Sequence, residues 1–207
     1  MKSIILLGCG GHCKSCIDVI ETSKKYKIKG IIEKTNSLKK EFMGYQIIGH
    51  DNKLKESFTK KDSGFICVGQ IKDSSLRIRL FDLLKENNIN IATLKSSYSI
   101  ISKKSKIGIG TITMHNSVVN SGAIVGKNCI INTNSTIEHD AVIDDHCHIS
   151  TGALINGGVE IGMGSFIGSG AIIKEGIKIG ERVLVSAGEI IFKDIPSNTI
   201  HKTSRIY

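Results

Sequence analysis

From Ile101 to Ile191 an aliphatic residue returns at every sixth position, with Thr113 the one departure and no insertion or deletion in the frame. Two places before these positions stand small residues, among them Ser105, Thr111, Ser117, Ala123, Cys129, Ser135, Ala141, Cys147 and Ala153. Residues two apart in a short strand point the same way, so the pattern predicts a bulky and a small side chain side by side inside a narrow prism. One place after the aliphatic residue come Gly108, Asn120, Gly126, Asn132, Asn156, Gly162, Gly168 and Gly180. Glycine and asparagine tolerate left-handed backbone angles, which assigns them to sharp corners. Three hexads make a triangular coil of eighteen residues, and the array spells about five stacked coils of a parallel β-helix.

The first hundred residues follow another rhythm. SIILLG, residues 3–8, is a buried-strand run, followed by GCGGHC and then by a helical pattern through Ile17, Ile20 and Lys24. Strand, glycine turn and helix open a nucleotide-binding α/β unit of Rossmann-like type. KIKGIIEK, residues 27–34, predicts a second strand and FICVG, residues 65–69, a third. An amphipathic helix is expected from about Ser74 to Asn88, with Leu76, Leu80, Leu83 and Leu84 on one side. A last strand, INIATL, leads into the β-helix. The expected division is residues 1–95 as the α/β domain and 96–207 as the β-helix with a short tail.

Charge adds an asymmetry. Residues 1–100 carry eighteen Lys and Arg against ten Asp and Glu, whereas residues 101–207 carry ten against nine. No Arg-rich helix and no aromatic interleaving accompany the excess, so nucleic acid is not the expected partner. Attraction for phosphorylated small molecules fits better. There is no apolar run of membrane-spanning length, and Met1 leads directly into a strand pattern; a cytoplasmic protein with neither span nor signal peptide, and without a membrane partner, is expected.

Gly8, Gly10 and Gly11 permit close approach of a bound group, with helix-start amides available to phosphate. Cys13 stands where the third glycine of a dinucleotide fingerprint would be, which disfavours NAD. Cys13 and Cys16 form a CxxC, and Cys9 and His12 lie near enough to suggest zinc; packing around the loop is the simpler account, and no metal is expected. Cys129 and Cys147 are eighteen residues apart on inward positions and should stack as core residues.

On the array, charge gathers at Glu138-His139-Asp140 and Asp144-Asp145-His146-Cys147-His148. His139 falls two places after Ile137, at a corner or on an outward face. An imidazole beside a carboxylate suits a general base, with Asp140 as the orienting acid and Glu138 as its substitute. Gly157 follows one coil later, where its amide could bind a carbonyl oxygen. His148 lies half a coil from His139 and joins it only through a neighbouring subunit or a ligand.

ILLGCGGH, GYQIIGHD, FICVGQ, SSLRIRLFDLL, INTNSTIEHDAVIDDHCHISTGA and IFKDIPSNTI together resemble the sugar O- and N-acyltransferases of the NeuD (sialic-acid acetyltransferase) and PglD (bacillosamine-type N-acetyltransferase) family. The resemblance implies a homotrimer of left-handed β-helices, acetyl-CoA in the groove between subunits, and a nucleotide sugar held by the N-terminal domain. It makes His139 the base and Asp140 its acidic partner. It puts His148 and Gly157 at the thioester, and Ser169 and Ala187 along the pantetheine and adenine side. Gly10, Gly11, His12 and Gly69 become substrate-loop positions, and Glu33 and Lys34 the nucleoside contact. Glu33-Lys34 departs from the Asp pair or Asp-Asn of many relatives, and His201–Arg205 replaces a G-x-P-A-K element. The activity implied is acetyl transfer to the amine of a nucleotide-activated amino-deoxy sugar. The rivals are O-acetylation of a sialic-acid-like sugar, a zinc hydratase using His139, His146 and His148, and a scaffold without catalysis.

Overall fold

The computed structural model describes residues 1–202; of the tail expected to meet the cofactor, Thr203, Ser204 and Arg205 lie outside the described residues. The N-terminal part alternates strand and helix: β1 (Lys2–Leu7), α1 (Gly11–Ser23), β2 (Tyr26–Glu33), β3 (Glu41–Phe42), β4 (Tyr45–His50), α2 (Leu54–Ser57), β5 (Asp62–Ile66), α3 (Ser75–Glu86) and β6 (Asn90–Ile91). They form one sheet in the order β3-β4-β2-β1-β5-β6, parallel except for the β3–β4 hairpin. β1 is buried from Ile4 to Leu7 because helices or the second domain cover both faces.

Two sequence expectations shift here. The strand expected at 65–69 is Asp62–Ile66, so Cys67 to Gln70 form the loop after β5. INIATL divides: Asn90–Ile91 closes the first sheet, while Leu94–Lys95 pairs with Ile112–Thr113 as the first β-helix strand. That strand escapes the hexad frame because a lysine, Lys95, occupies the aliphatic position.

From Leu94 to His201 the chain winds as a left-handed β-helix with three parallel sheets of seven, six and five strands. Register advances by eighteen residues per coil, as in Ile137↔Ile155 and Ile131↔Ile149. The aliphatic positions from Val119 to Ile191 are buried inside the prism beside Ala123, Cys129, Ala141, Cys147, Ala153 and Ala171. The interior polar atoms bond to turn carbonyls: Ser135 Oγ to Asn132 O, Thr111 Oγ1 to Gly126 O, and Cys147 Sγ to Gly162 O. Each small polar side chain is thereby satisfied without water.

The corners correct another expectation. Left-handed angles fall three places after the aliphatic residue, at Asn116, Gly122, Asn128, Asn134, Asp140, His146, Gly152 and onward, not one place after it. The glycines one place after have a different reason: at Gly168 an added Cβ would sit 2.5 Å from the Ala187 nitrogen in the next coil. A backbone cannot swing aside as a side chain can, so Gly168→Ala should destabilise the protein by about 1–3 kcal/mol, read as a lowered denaturation midpoint.

The α/β domain packs on the outer face of the seven-stranded sheet. Leu94, Ile112 and Ile130 point outward there and are buried against Cys13, Cys16, Ile17 and Ile20 of α1. The six-stranded sheet keeps an apolar outer face, with Ile100 68% and Ile190 52% exposed. Among the described residues no helix is long and apolar enough to cross a membrane.

Candidate active site

A cavity of about 1130 Å³ lies where the C-terminal ends of β1, β2 and β5 meet the β-helix. Its walls bring together Gly10, Gly11, His12, Glu33, Lys34 and Gly69 from the α/β domain with His148 and Ser169 from the coils. A Cβ at Gly10 or Gly11 would meet nothing within 4 Å, so the chain's own packing does not demand glycine at either. What the absent side chains leave is room for a ligand to reach the backbone. Gly10 caps α1 without a side-chain bond, and no acidic residue occupies the first turn, so the amides there remain available to an anion.

Glu33 ends β2 and accepts hydrogen bonds from Cys9 N at 2.8 Å, Cys9 Sγ at 2.6 Å and Lys34 N at 3.0 Å. Burial works to raise its carboxyl, but these bonds outweigh burial and hold it below the usual carboxylate range. Burial, reinforced by the adjacent Glu33, pushes the Cys9 thiol up, so Cys9 is a donor to Glu33 and not a nucleophile. Lys39 Nζ stands 3.4 Å from both Cys9 O and Cys9 Sγ and supplies the local positive charge.

His148 is buried on the seven-stranded sheet. Its Nδ1 is 2.6 Å from Gln70 O, its Nε2 is 3.1 Å from Asn132 Nδ2, and its ring meets the edge of Phe166. A carbonyl only accepts and an amide nitrogen only donates, which makes this histidine neutral with its proton on Nδ1. Burial lowers its pKa to about 4 against the pull of the Gln70 carbonyl, with the nearby His12 and Arg77 lowering it further. Because the folded value lies below the unfolded one, the unfolded chain takes up the proton first and stability is lost as pH falls. Denaturant midpoints should therefore drop between about pH 6.5 and pH 4, with His148 contributing at most about 3 kcal/mol, and His148→Gln should flatten that slope.

His139 and Asp140 stand elsewhere, at the corner after the six-stranded sheet, with side chains 68% and 73% exposed. Asp140 Oδ2 lies 3.0 Å from His139 Nδ1, which leaves Nε2 open with its lone pair outward. Glu138 is engaged by Asn120 Nδ2 at 2.8 Å, so Asp140 is the ring's partner. Gly157 lies directly over the ring: a Cβ there would come within 2.7 Å of His139 Cε1. Its own N–H meets no acceptor among the described residues. Ala187 is exposed one coil beyond Ser169, outside the cavity wall. One chain therefore holds two half-sites, the cavity and the His139 corner. His139, His146 and His148 face different sides, His146 being buried against Phe81 and Asn128, and among the described residues no cluster of three His, Cys, Asp or Glu could hold a metal ion.

Sequence reading missed the group that joins the two domains. Arg77 of α3 is 1% exposed; its Nη1 donates to Ile66 O and Val68 O, and its Nη2 to Asn128 O and Asn128 Oδ1. Gln70 Nε2 donates to His146 O and Gly164 O. On the helix the expected inward Leu76 is instead 44% exposed at the cavity while Arg77 turns inside. Nothing in a single-sequence helical pattern marks an arginine as buried.

Residues 3–84 match the PglD N-terminal domain, and residues 115–139 and 158–193 match the hexapeptide repeat of succinyl-transferase. The acetyltransferase domain of PglB from Neisseria gonorrhoeae FA1090 superposes with a TM-score of 0.88 at 26% identity, over 96% of each chain. Both family matches are consistent with the NeuD/PglD-type sugar acyltransferases that the sequence resembles. The hexapeptide repeat together with the likeness to this acetyltransferase domain makes the protein an acyltransferase. The Neisseria domain is also known in complex with acetyl coenzyme A, with a TM-score of 0.87. A variant of perosamine N-acetyltransferase from Caulobacter crescentus, solved with CoA and GDP-perosamine, shares the fold at 23% identity and a TM-score of 0.88, over 96% of this chain and 92% of that one. WeeI from Acinetobacter baumannii AYE shares it at 22% identity, 96% of each chain and a TM-score of 0.85. No curated protein matches the chain.

Proposed function

We propose that the protein transfers an acetyl group from acetyl-CoA to the amine of a nucleotide-activated amino-deoxy sugar, in a homotrimer whose neighbouring copies complete each site. One observation carries this reading: the phosphate-suited cavity has no exposed base among its described lining residues, while the His139–Asp140 pair is presented outward on another corner. The apolar outer face of the six-stranded sheet, between these two half-sites, supports association.

In this reading the α1 amides and Lys39 hold the diphosphate, and Glu33 and Lys34 face the nucleoside. Unpartnered buried atoms at the cavity, His12 Nε2 and Gln70 Oε1, mark where sugar groups would find hydrogen bonds. Ser169 and Ala187 line the path of the donor's arm. Acetyl-CoA supplies an already activated thioester, so juxtaposition of the two substrates accounts for much of the acceleration. His139 Nε2 takes the proton from the attacking amine, and Asp140 stabilises the imidazolium. The Gly157 N–H donates to the carbonyl oxygen as negative charge develops, and His148, whose ring nitrogens are engaged by Gln70 and Asn132, shapes the wall beside the thioester. The proton on His139 then passes to the departing thiolate. No covalent bond to the enzyme is needed.

The deciding experiment follows thiol release from acetyl-CoA with UDP-, GDP- and CMP-linked amino sugars and with free sialic acids, while mass photometry reports assembly. An amino sugar nucleotide as the preferred acceptor of a trimer is expected. Preference for a hydroxyl acceptor would move the reading to O-acetylation, and a fully active monomer would remove the shared site.

A further inference from the structure

Charge along the β-helix is sorted from end to end. Between Asn87 and Ile137 there are five lysines and no Asp or Glu, whereas Glu138 to Asp194 hold nine carboxylates and four cations. The basic end is the first coil, which has no coil beneath it. It exposes Lys95, Lys103 and Lys104. The parallel sheet of the α/β domain presents its strand starts toward the same end, because Met1, Lys2, Lys25 and Tyr26 share a depression with Thr93, which immediately precedes the first coil. Lys24 closes α1 there. Exposed apolar side chains accompany these cations: Met1, 86% exposed, beside Lys2 and Lys25, and Tyr98, 62% exposed, between Lys95 and Lys103 along the first coil. The carboxylates near this end are largely engaged, Asp62 by Lys29 and Glu21 by the Tyr45 hydroxyl.

We propose that this lower face docks the protein on an anionic lipid surface. Lysines around exposed apolar groups suit a headgroup layer, where the ammonium groups meet phosphates and the apolar tips enter the interface. The cations here are all lysines; among the described residues this face carries no arginine with the bidentate fork that favours nucleic acid, and no groove or recognition helix. The sugar cavity opens at the C-terminal strand ends, so docking by the strand starts leaves it directed away from the surface. This surface is independent of the acceptor proposed above, and of whether the chain is a trimer, although three parallel copies would multiply the contact.

The test is cosedimentation of the full-length protein with vesicles of phosphatidylglycerol or of phosphatidylcholine at 0.1 M salt. Binding to phosphatidylglycerol alone, abolished at 0.5 M salt, is expected. Lys24→Glu/Lys25→Glu/Lys103→Glu/Lys104→Glu should weaken vesicle binding by at least about tenfold with acetyl transfer in solution unchanged. The chain has no tryptophan, so Tyr98→Trp provides a single reporter independent of the charge variant, and its emission should shift to the blue on phosphatidylglycerol. Equal binding to both lipids, no binding at 0.1 M salt, an unshifted indole emission from sedimenting Tyr98→Trp protein, or tighter binding to a DNA duplex at matched phosphate would each overturn the proposal.

Discussion

His139→Ala should lower turnover by about two to four orders of magnitude, the usual cost of losing a general base, and leave the thermal midpoint where it was. The two halves of this expectation come from the same geometry. The His139 side chain is 68% exposed and touches mainly Asp140 and the bare backbone of Gly157, so truncation empties no core space and orphans no buried group. The side chain contributes little to folding, and its position is explained by chemistry. Asp140→Asn keeps the shape and removes the charge that stabilises the protonated ring. Its effect should be smaller than that of His139→Ala, because the ring and its open Nε2 remain in place while the charge beside Nδ1 is lost. Steady-state turnover across pH 5 to 9 for both variants is the measurement; wild-type turnover in His139→Ala would remove the base assignment.

Arg77→Met should do the reverse, with a large loss of stability. Its guanidinium is fully buried; burial lowers its pKa to about 10, which still leaves it charged at neutral pH. It holds the carbonyls of Ile66 and Val68 on one side and Asn128 on the other, spanning the two domains. Methionine fills much of the space and satisfies none of the four acceptors. Buried groups left without partners cost about 1–3 kcal/mol apiece, and even partial relaxation leaves a loss of at least about 3 kcal/mol. In a chain of this length that corresponds to a midpoint lower by roughly 6–12 °C. Since the loop from Cys67 to Gln70 forms one cavity wall and carries the carbonyl that orients His148, the acceptor KM should rise as well. Arg77→Lys keeps the charge but not the planar fork and should fall between. A stable Arg77→Met protein would mean that the domain junction rests on apolar packing alone.

The hexads from Ile101 to Ile191, the small inward partners, the glycine turn after β1 and the His139-Asp140 dipeptide were all legible along the chain. Each is local or strictly periodic, so sequence distance translates directly into position: eighteen residues place Gly157 over His139 and Cys147 over Cys129. Tertiary structure decided what depends on a neighbour from another part of the chain. The glycines one place after the aliphatic residues are required by the next coil's backbone and not by their own angles. Lys95 begins a coil that the apolar frame does not announce. Arg77 lies inside a helix face that periodicity assigns to Leu76, because the carbonyls and Asn128 that satisfy it come from β5, the following loop and a β-helix corner. The separation of His139 from the cavity is likewise a property of three-dimensional winding: a one-dimensional pattern says which residues share a column, but only the docking of the α/β domain determines which column becomes a wall.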